Sequence, residues 1–207
     1  MGQREAQARE LLGPNTPGVA VAPGEGPLVL FTDDGRWLIG LLEDGVRREA
    51  RVAIARASDL ARGGAPKWRV IIEPADAITD FAYARGTLYA ATHKNAPRFA
   101  YLAAPIERFS AASARTVVPA SERVLGAMAA ARDALYFEAR EGNAKQLWKL
   151  PYSPHARAAP VPLPLQGSFA LRRGGGVSAA QPRLDGVVIS LESQTRAARA
   201  IAEGRFR

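Results

Sequence analysis

From residue 26 onward, apolar positions fall in short runs separated by turn residues. "LVLFT" ends at Asp33-Asp34-Gly35-Arg36, and "WLIGLLE" follows. Asp44-Gly45 then leads to "RREARVAIARA", and "WRVIIE" covers Trp68 to Glu73. Runs of strand length joined by Asp-Gly turns predict antiparallel hairpins, because glycine reaches positive φ at little cost. The runs do not alternate cleanly between apolar and polar residues, as strands buried on both faces do not.

The same pattern then recurs. Leu88-Tyr89 and Leu135-Tyr136 stand 47 residues apart, and Pro119 and Pro164 close two outer runs. "VVISLES", Val187 to Ser193, supplies a third copy. A period of about 40–50 residues with four short strands per copy predicts propeller blades. Both faces of a blade pack on neighbours, which accounts for "LYAAT" and "LYFEA". The outer runs end in proline ("TVVPA", "PVPLP"), where a missing N–H costs least. The expected fold is all-β, a partial β-propeller of about four four-stranded antiparallel blades, near residues 28–73, 78–119, 124–164 and 167–206. Residues 1–26 are expected to form a separate segment, with a short helix from Gln3 to Leu12 and a Pro/Gly linker. A second short helix is expected near Ala197 to Ala202. Closed propellers need at least about four blades, so the chain reads as a piece of a larger ring, with uncovered faces that favour self-association.

Composition adds exclusions. The 207 residues include no cysteine, which removes disulfides, thiolate nucleophiles and Cys-ligated zinc. The two histidines, His93 and His155, are far apart and fit no metal-binding spacing. No metal site and no cofactor is expected. Net charge is +8, but the arginines are scattered and aromatic residues do not interleave with them, so no nucleic-acid partner is expected. No run of about 20 apolar residues exists, and none is expected to enter a membrane.

Catalytic chemistry is also sparse. No G-x-S-x-G nucleophile elbow occurs; Gly176-Val177-Ser178-Ala179-Ala180 lacks its final glycine. "RRGGGVSA" lacks the lysine and helix of a phosphate loop. Asp33-Asp34 and Asp76-Asp80 are read as solvated turn carboxylates. Trp37, Trp68 and Trp148 are read as blade packing. In "LYAATHKNAPRFAYL", Asn95 and Pro97 suit a turn between two paired strands, and His93 reads as a polar strand end.

Several of these stretches together resemble the propeller of prolyl oligopeptidase-like serine peptidases. "TDDGRWLI" is similar to that family's "SPDGRYL" turn. "LYAATHKNAPRFAYLAAP" is similar to a segment built around "APR", and "VPLPLQGSFAL" with "VVISLESQTRAARAI" resembles a later segment containing "GS" and "ES-x-T". The resemblance spans roughly residues 28–201. It implies a propeller that caps an α/β-hydrolase domain and limits access to short peptides. No catalytic residue is then expected in this chain, and its partners would be that hydrolase domain and a short peptide. Arg98 is the candidate for facing the peptide channel; Asn95 and Pro97 are the family-signature turn. The alternative is a stand-alone propeller that binds a protein or peptide. Relatives of the family occur in cytoplasm and periplasm, so the compartment is unassigned.

Overall fold

The structure, a computed structural model, describes residues 9–165, 167–171, 180–193 and 196–203. The chain is an all-β partial propeller and divides into two compact units, residues 1–77 and 78–207.

The first unit holds one antiparallel sheet. Its strands are β1 (Gly26–Phe31), β2 (Trp37–Glu43), β3 (Arg51–Arg56) and β4 (Arg69–Ile72), in the order β1-β2-β3-β4. Consecutive pairing with short turns is the meander expected of a blade. At the first turn, the Thr32 hydroxyl donates to Asp34 at 2.7 Å, and the same carboxylate accepts the Arg36 N–H. The tight Asp-Gly corner is thus held by its own aspartate.

Residues 9–25 are no separate linker. Leu12 and Val19 are buried with Leu38, Leu42, Ala53 and Trp68, and the Trp68 indole donates to the Leu11 carbonyl at 2.7 Å. Arg51 ties the segment down further, donating to the Ala20 carbonyl and pairing with Glu25 at 2.8 Å and Glu73 at 3.1 Å. Gly18 lies where a Cβ would come 2.8 Å from the Trp68 carbonyl, at φ +82°, so only glycine lets the strap lie this close. The expected Gln3–Leu12 helix is absent over residues 9–12, and its earlier part lies outside the described residues. The short helix in this unit is instead α1 (Ala57–Ala61), directly after β3.

The second unit carries the recurring blades. Its first sheet has β5 (Ile78–Ala84), β6 (Thr87–Thr92), β7 (Ala100–Pro105) and β8 (Arg115–Val118) in sequential order. The next has β9 (Val124–Ala130), β10 (Ala134–Glu141), β11 (Ala144–Pro151) and the two-residue edge β12 (Ala159–Pro160). The last is a hairpin of β13 (Val187–Ser193) and β14 (Arg196–Glu203). Isolated bridges from Ser168 to Glu192 and from Ala180 to Val187 flank the other edge of β13. The fourth blade is therefore seen as a hairpin with a partial third strand. β14 includes the stretch expected as a helix at 197–202: pairing with β13 overrides the helix propensity of its alanines and arginines.

Both faces of the β9–β12 sheet are buried. Leu135, Phe137 and Ala139 on one face pack with Tyr89, Ala91, Tyr101 and Ala103 of the preceding sheet. Ala134, Tyr136 and Leu147 face the other way, toward Val187, Ile189 and Leu191. This is the physical origin of the apolar runs without alternation.

Candidate functional site

"THKNAPRF" folds as two successive turns. The Ala96 N–H donates to the His93 carbonyl at 3.1 Å, and the Phe99 N–H donates to the Ala96 carbonyl at 2.7 Å. The Thr92 hydroxyl accepts the Lys94 N–H and starts the first turn. Asn95 stands in its left-handed corner at φ +55°, a conformation that asparagine tolerates better than most residues. Pro97 follows Ala96 as the first central residue of the second turn, where its fixed φ costs nothing. β6 and β7 then pair in register from Thr87↔Pro105 to Thr92↔Ala100.

Phe99 closes the second turn at φ +68°. A bulky side chain seldom adopts that backbone. Its ring lies edge-on to His93, with centroids 5.7 Å apart, and packs on the core shared by the two four-stranded sheets. His93 is thus an aromatic neighbour in a turn, as its strand-end position suggests.

Arg98 reaches toward the following blade. Its Nη1 donates to the Glu122 carbonyl at 2.8 Å and pairs with the Glu122 carboxylate. The Arg98 carbonyl in turn accepts the Leu125 N–H at 3.0 Å. The side chain is about half exposed (47%), so it binds the neighbouring blade while staying in contact with solvent.

Other polar links cross the same seam. Asp80 is not a turn residue, as its sequence position suggested. It lies on β5, and its carboxylate accepts the Met128 N–H of β9 at 3.0 Å. The Tyr101 hydroxyl donates to the Gly126 carbonyl at 2.8 Å. Burial pushes the Tyr101 phenol well above its ordinary pKa, so it remains a donor at any ordinary pH. Its ring meets Phe137 edge-on at 5.1 Å. Glu122 did not stand out in the sequence, and Asp80 did so only as a turn carboxylate, because the role of each depends on the neighbouring repeat.

The next seam is ionic. Lys149 pairs with Asp133 at 2.8 Å and Glu203 at 3.5 Å. The Tyr136 hydroxyl lies 3.0 Å from Asp133 and 2.5 Å from Glu203. Burial alone would raise the Asp133 carboxyl. Hydrogen bonds from Lys149, the Gly186 N–H and Tyr136 outweigh it and hold the group below its ordinary value. Burial and the two carboxylates both push Tyr136 up. At the rim, Arg85 donates to the Arg132 carbonyl at 2.9 Å, and Arg132 grips Asp185 with two hydrogen bonds at 2.8 and 2.7 Å.

These groups are fasteners between blades. Among the described residues no three His, Asp or Glu side chains are placed to hold a metal ion. The Gly176–Ala179 stretch and "RRGGGVSA" lie outside the described residues.

A family model described as the N-terminal β-propeller domain of prolyl oligopeptidase matches residues 26–180. No curated protein sequence matches the chain. Among solved structures, a prolyl endopeptidase is similar at a TM-score of 0.68 and 17% identity, over 88% of this chain and 25% of its own. Prolyl oligopeptidase B from Galerina marginata is similar at 0.64 and 12%, over 86% and 24%. Oligopeptidase B from Trypanosoma brucei, in its closed form with covalently bound antipain, is similar at 0.67 and 10%, over 89% and 26%. At such identities the likeness speaks to fold. The chain spans about a quarter of the length of these structures.

Proposed function

The chain belongs to the prolyl oligopeptidase family through its N-terminal β-propeller domain, and from that premise we propose that it is the non-catalytic propeller of a serine peptidase. In this reading it works with an α/β-hydrolase domain that supplies the nucleophile and triad, and it restricts that domain to short peptides. The family match over residues 26–180 carries the proposal. It is supported by the absence of a G-x-S-x-G elbow from the sequence. The neighbouring prolyl endopeptidase, whose description concerns inter-domain dynamics in catalysis and specificity, is consistent with it.

A propeller restricts access only if its blades resist parting. The links at Asp80, Tyr101 and Arg98, and the Lys149 cluster, are devices for that. Arg98 is the residue we place on the peptide's path. Among the described residues only its Nη1 is engaged by protein, at Glu122, and half the side chain faces solvent. A guanidinium there can hold a peptide carbonyl or carboxylate.

Two preparations test the reading. The chain alone is expected to leave a proline-containing fluorogenic peptide uncleaved. Joined to a hydrolase domain of the family, it is expected to permit cleavage of that peptide and to slow cleavage of an unfolded long polypeptide. In the joined protein, Arg98→Ala should raise KM for the short peptide with little change in kcat. Cleavage by the chain alone that disappears with Ser178→Ala would overturn the proposal, as would equal cleavage of short and long substrates by the joined protein.

A further inference from the structure

The blade repeat allows two equivalent slots to be compared. Ala82, Tyr89, Ala103 and Arg115 are successive cross-strand partners on β5, β6, β7 and β8. In the following blade, Tyr136, Lys149 and Ala159 are the corresponding partners on β10, β11 and β12. Tyr89 thus corresponds to Tyr136, Ala103 to Lys149 and Arg115 to Ala159. From the blade that comes next, Pro151 pairs with Ala134 just as Glu203 pairs with Val187. Cross-strand partners share a face of the sheet, so these correspondences place side chains as well as backbone.

The later slot is filled from within. Lys149 occupies it, the Glu203 and Asp133 carboxylates neutralise the ammonium, and the Tyr136 hydroxyl binds them. The earlier slot has the same tyrosine but not the filling. Alanine replaces the lysine, and proline replaces the glutamate. What is left is a cleft of about 320 Å³ beside Tyr89, Ala103, Arg115, Pro151 and Tyr152. That volume lies at the small end of ligand sites. Tyr89 is 9% exposed, and its hydroxyl makes no hydrogen bond among the described residues. Arg115 likewise has no ion pair there and is the one charged residue lining the cleft. Outside the lining, Arg85 lies over the Tyr152 ring, 5.4 Å from its centroid, while donating to the Arg132 carbonyl. The Tyr89 and Tyr152 rings pack on each other, centroids 5.8 Å apart and tilted by 40°, and form an apolar wall of the cleft.

A tyrosine donor and a cation are therefore present without the anion that completes the sister slot. We propose that this cleft binds a small carboxylate carrying an apolar ring. Its anionic group takes the part that Glu203 plays in the later slot, against Tyr89 and Arg115. Its ring lies over Ala103, against the Tyr89–Tyr152 pair. A peptide ending in proline and a free aromatic acid both present this chemistry. The site is independent of any hydrolase domain.

Calorimetry and saturation-transfer NMR on the purified chain test the proposal. N-acetylproline and benzoate are the ligands, and N-acetylprolinamide and benzamide are their neutral counterparts. Saturable binding of at least one acid is expected, and comparing the two acids distinguishes the peptide end from the aromatic acid. The matching amide should bind about tenfold or more weakly, the scale of one lost charge-assisted hydrogen bond. Arg115→Gln and Tyr89→Phe should each weaken the acid similarly. Arg62→Gln, an exposed cation in the other unit, should not. Ala103→Glu supplies the missing carboxylate from within the slot and should abolish binding with the circular dichroism of the fold retained. Absence of saturable binding by both acids would overturn the proposal. So would equal binding of acid and amide, or wild-type binding by Arg115→Gln.

Discussion

Lys149→Met removes one ammonium from between two carboxylates and keeps the length of the side chain. Lys149 lies 2.8 Å from Asp133 and 3.5 Å from Glu203, and all three side chains are between a quarter and a third exposed. Fully exposed pairs contribute about 0–1 kcal/mol, and breaking a buried pair costs about 3–5 kcal/mol. A half-sheltered cation with two partners falls between these limits, so the substitution should cost about 2 kcal/mol near neutral pH. The loss should depend on pH in a defined direction. The Asp133 pKa is depressed in the folded chain, with Lys149 as its strongest helper. Its contribution is fully present above the unfolded carboxylate value of 3.8 and fades as pH falls through the lower folded value. Lys149 is raised above 10.5 by the same carboxylates, against burial. Its contribution is therefore present below that value and is lost as pH rises through the folded one. The difference between wild type and variant should be flat between about pH 5 and pH 10 and should shrink toward both extremes. Urea midpoints across that range measure it. A difference of equal size at about pH 3 and about pH 7 would refute the electrostatic argument and assign the effect to packing.

Tyr101→Phe should destabilise the chain by about 1 kcal/mol, because the Gly126 carbonyl loses its donor while the ring contact with Phe137 is kept. Urea denaturation measures it, and an unchanged midpoint would mean that water replaces the hydroxyl without cost. Asn95→Val should cost about 1–2 kcal/mol, since a β-branched residue is forced to φ +55°, whereas Asn95→Gly should be near neutral by the same melts. Phe31→Lys should reduce self-association in sedimentation velocity, because Phe31 is 63% exposed on β1, beside the exposed Leu28 and Leu30. Unchanged sedimentation would place the sticky surface elsewhere.

The blades were legible because a blade is a local object. Its turns carry Asp-Gly corners, its strands carry apolar runs, and the repeated Leu-Tyr pair marks the same strand in successive copies. The Asn95-Pro97 turn was legible for the same reason. Elements whose state is set by distant residues were harder to read. The stretch around 197–202 has helical composition but pairs with β13, and α1 hides at the end of what looks like one long strand. The strap formed by residues 9–25 looked like a linker because its anchors, Trp68 and Arg51, lie far along the chain. Asp80 was read as a turn carboxylate because its partner, the Met128 N–H, belongs to the next repeat. Arg98 and Glu122 likewise meet only when two blades stack. The open cleft cannot be inferred from any single stretch, since it arises where alanine and proline stand in for lysine and glutamate.

The rim contacts run in one direction along the chain. Arg85 donates to Arg132, and Arg132 donates to Asp185, so the earlier repeat supplies the guanidinium and the later one the acceptor. A ribosome delivers these repeats in the same order. Each newly folded blade then waits with a solvated cation at its leading edge, which costs little in water. The acceptor that arrives next is captured as it emerges. At this rim, assembly during translation therefore leaves no carbonyl or carboxylate waiting on a finished blade. Released chains ending after Glu141 should already resist protease through β8, and that protection should fall with Arg85→Ala if the capture works as described.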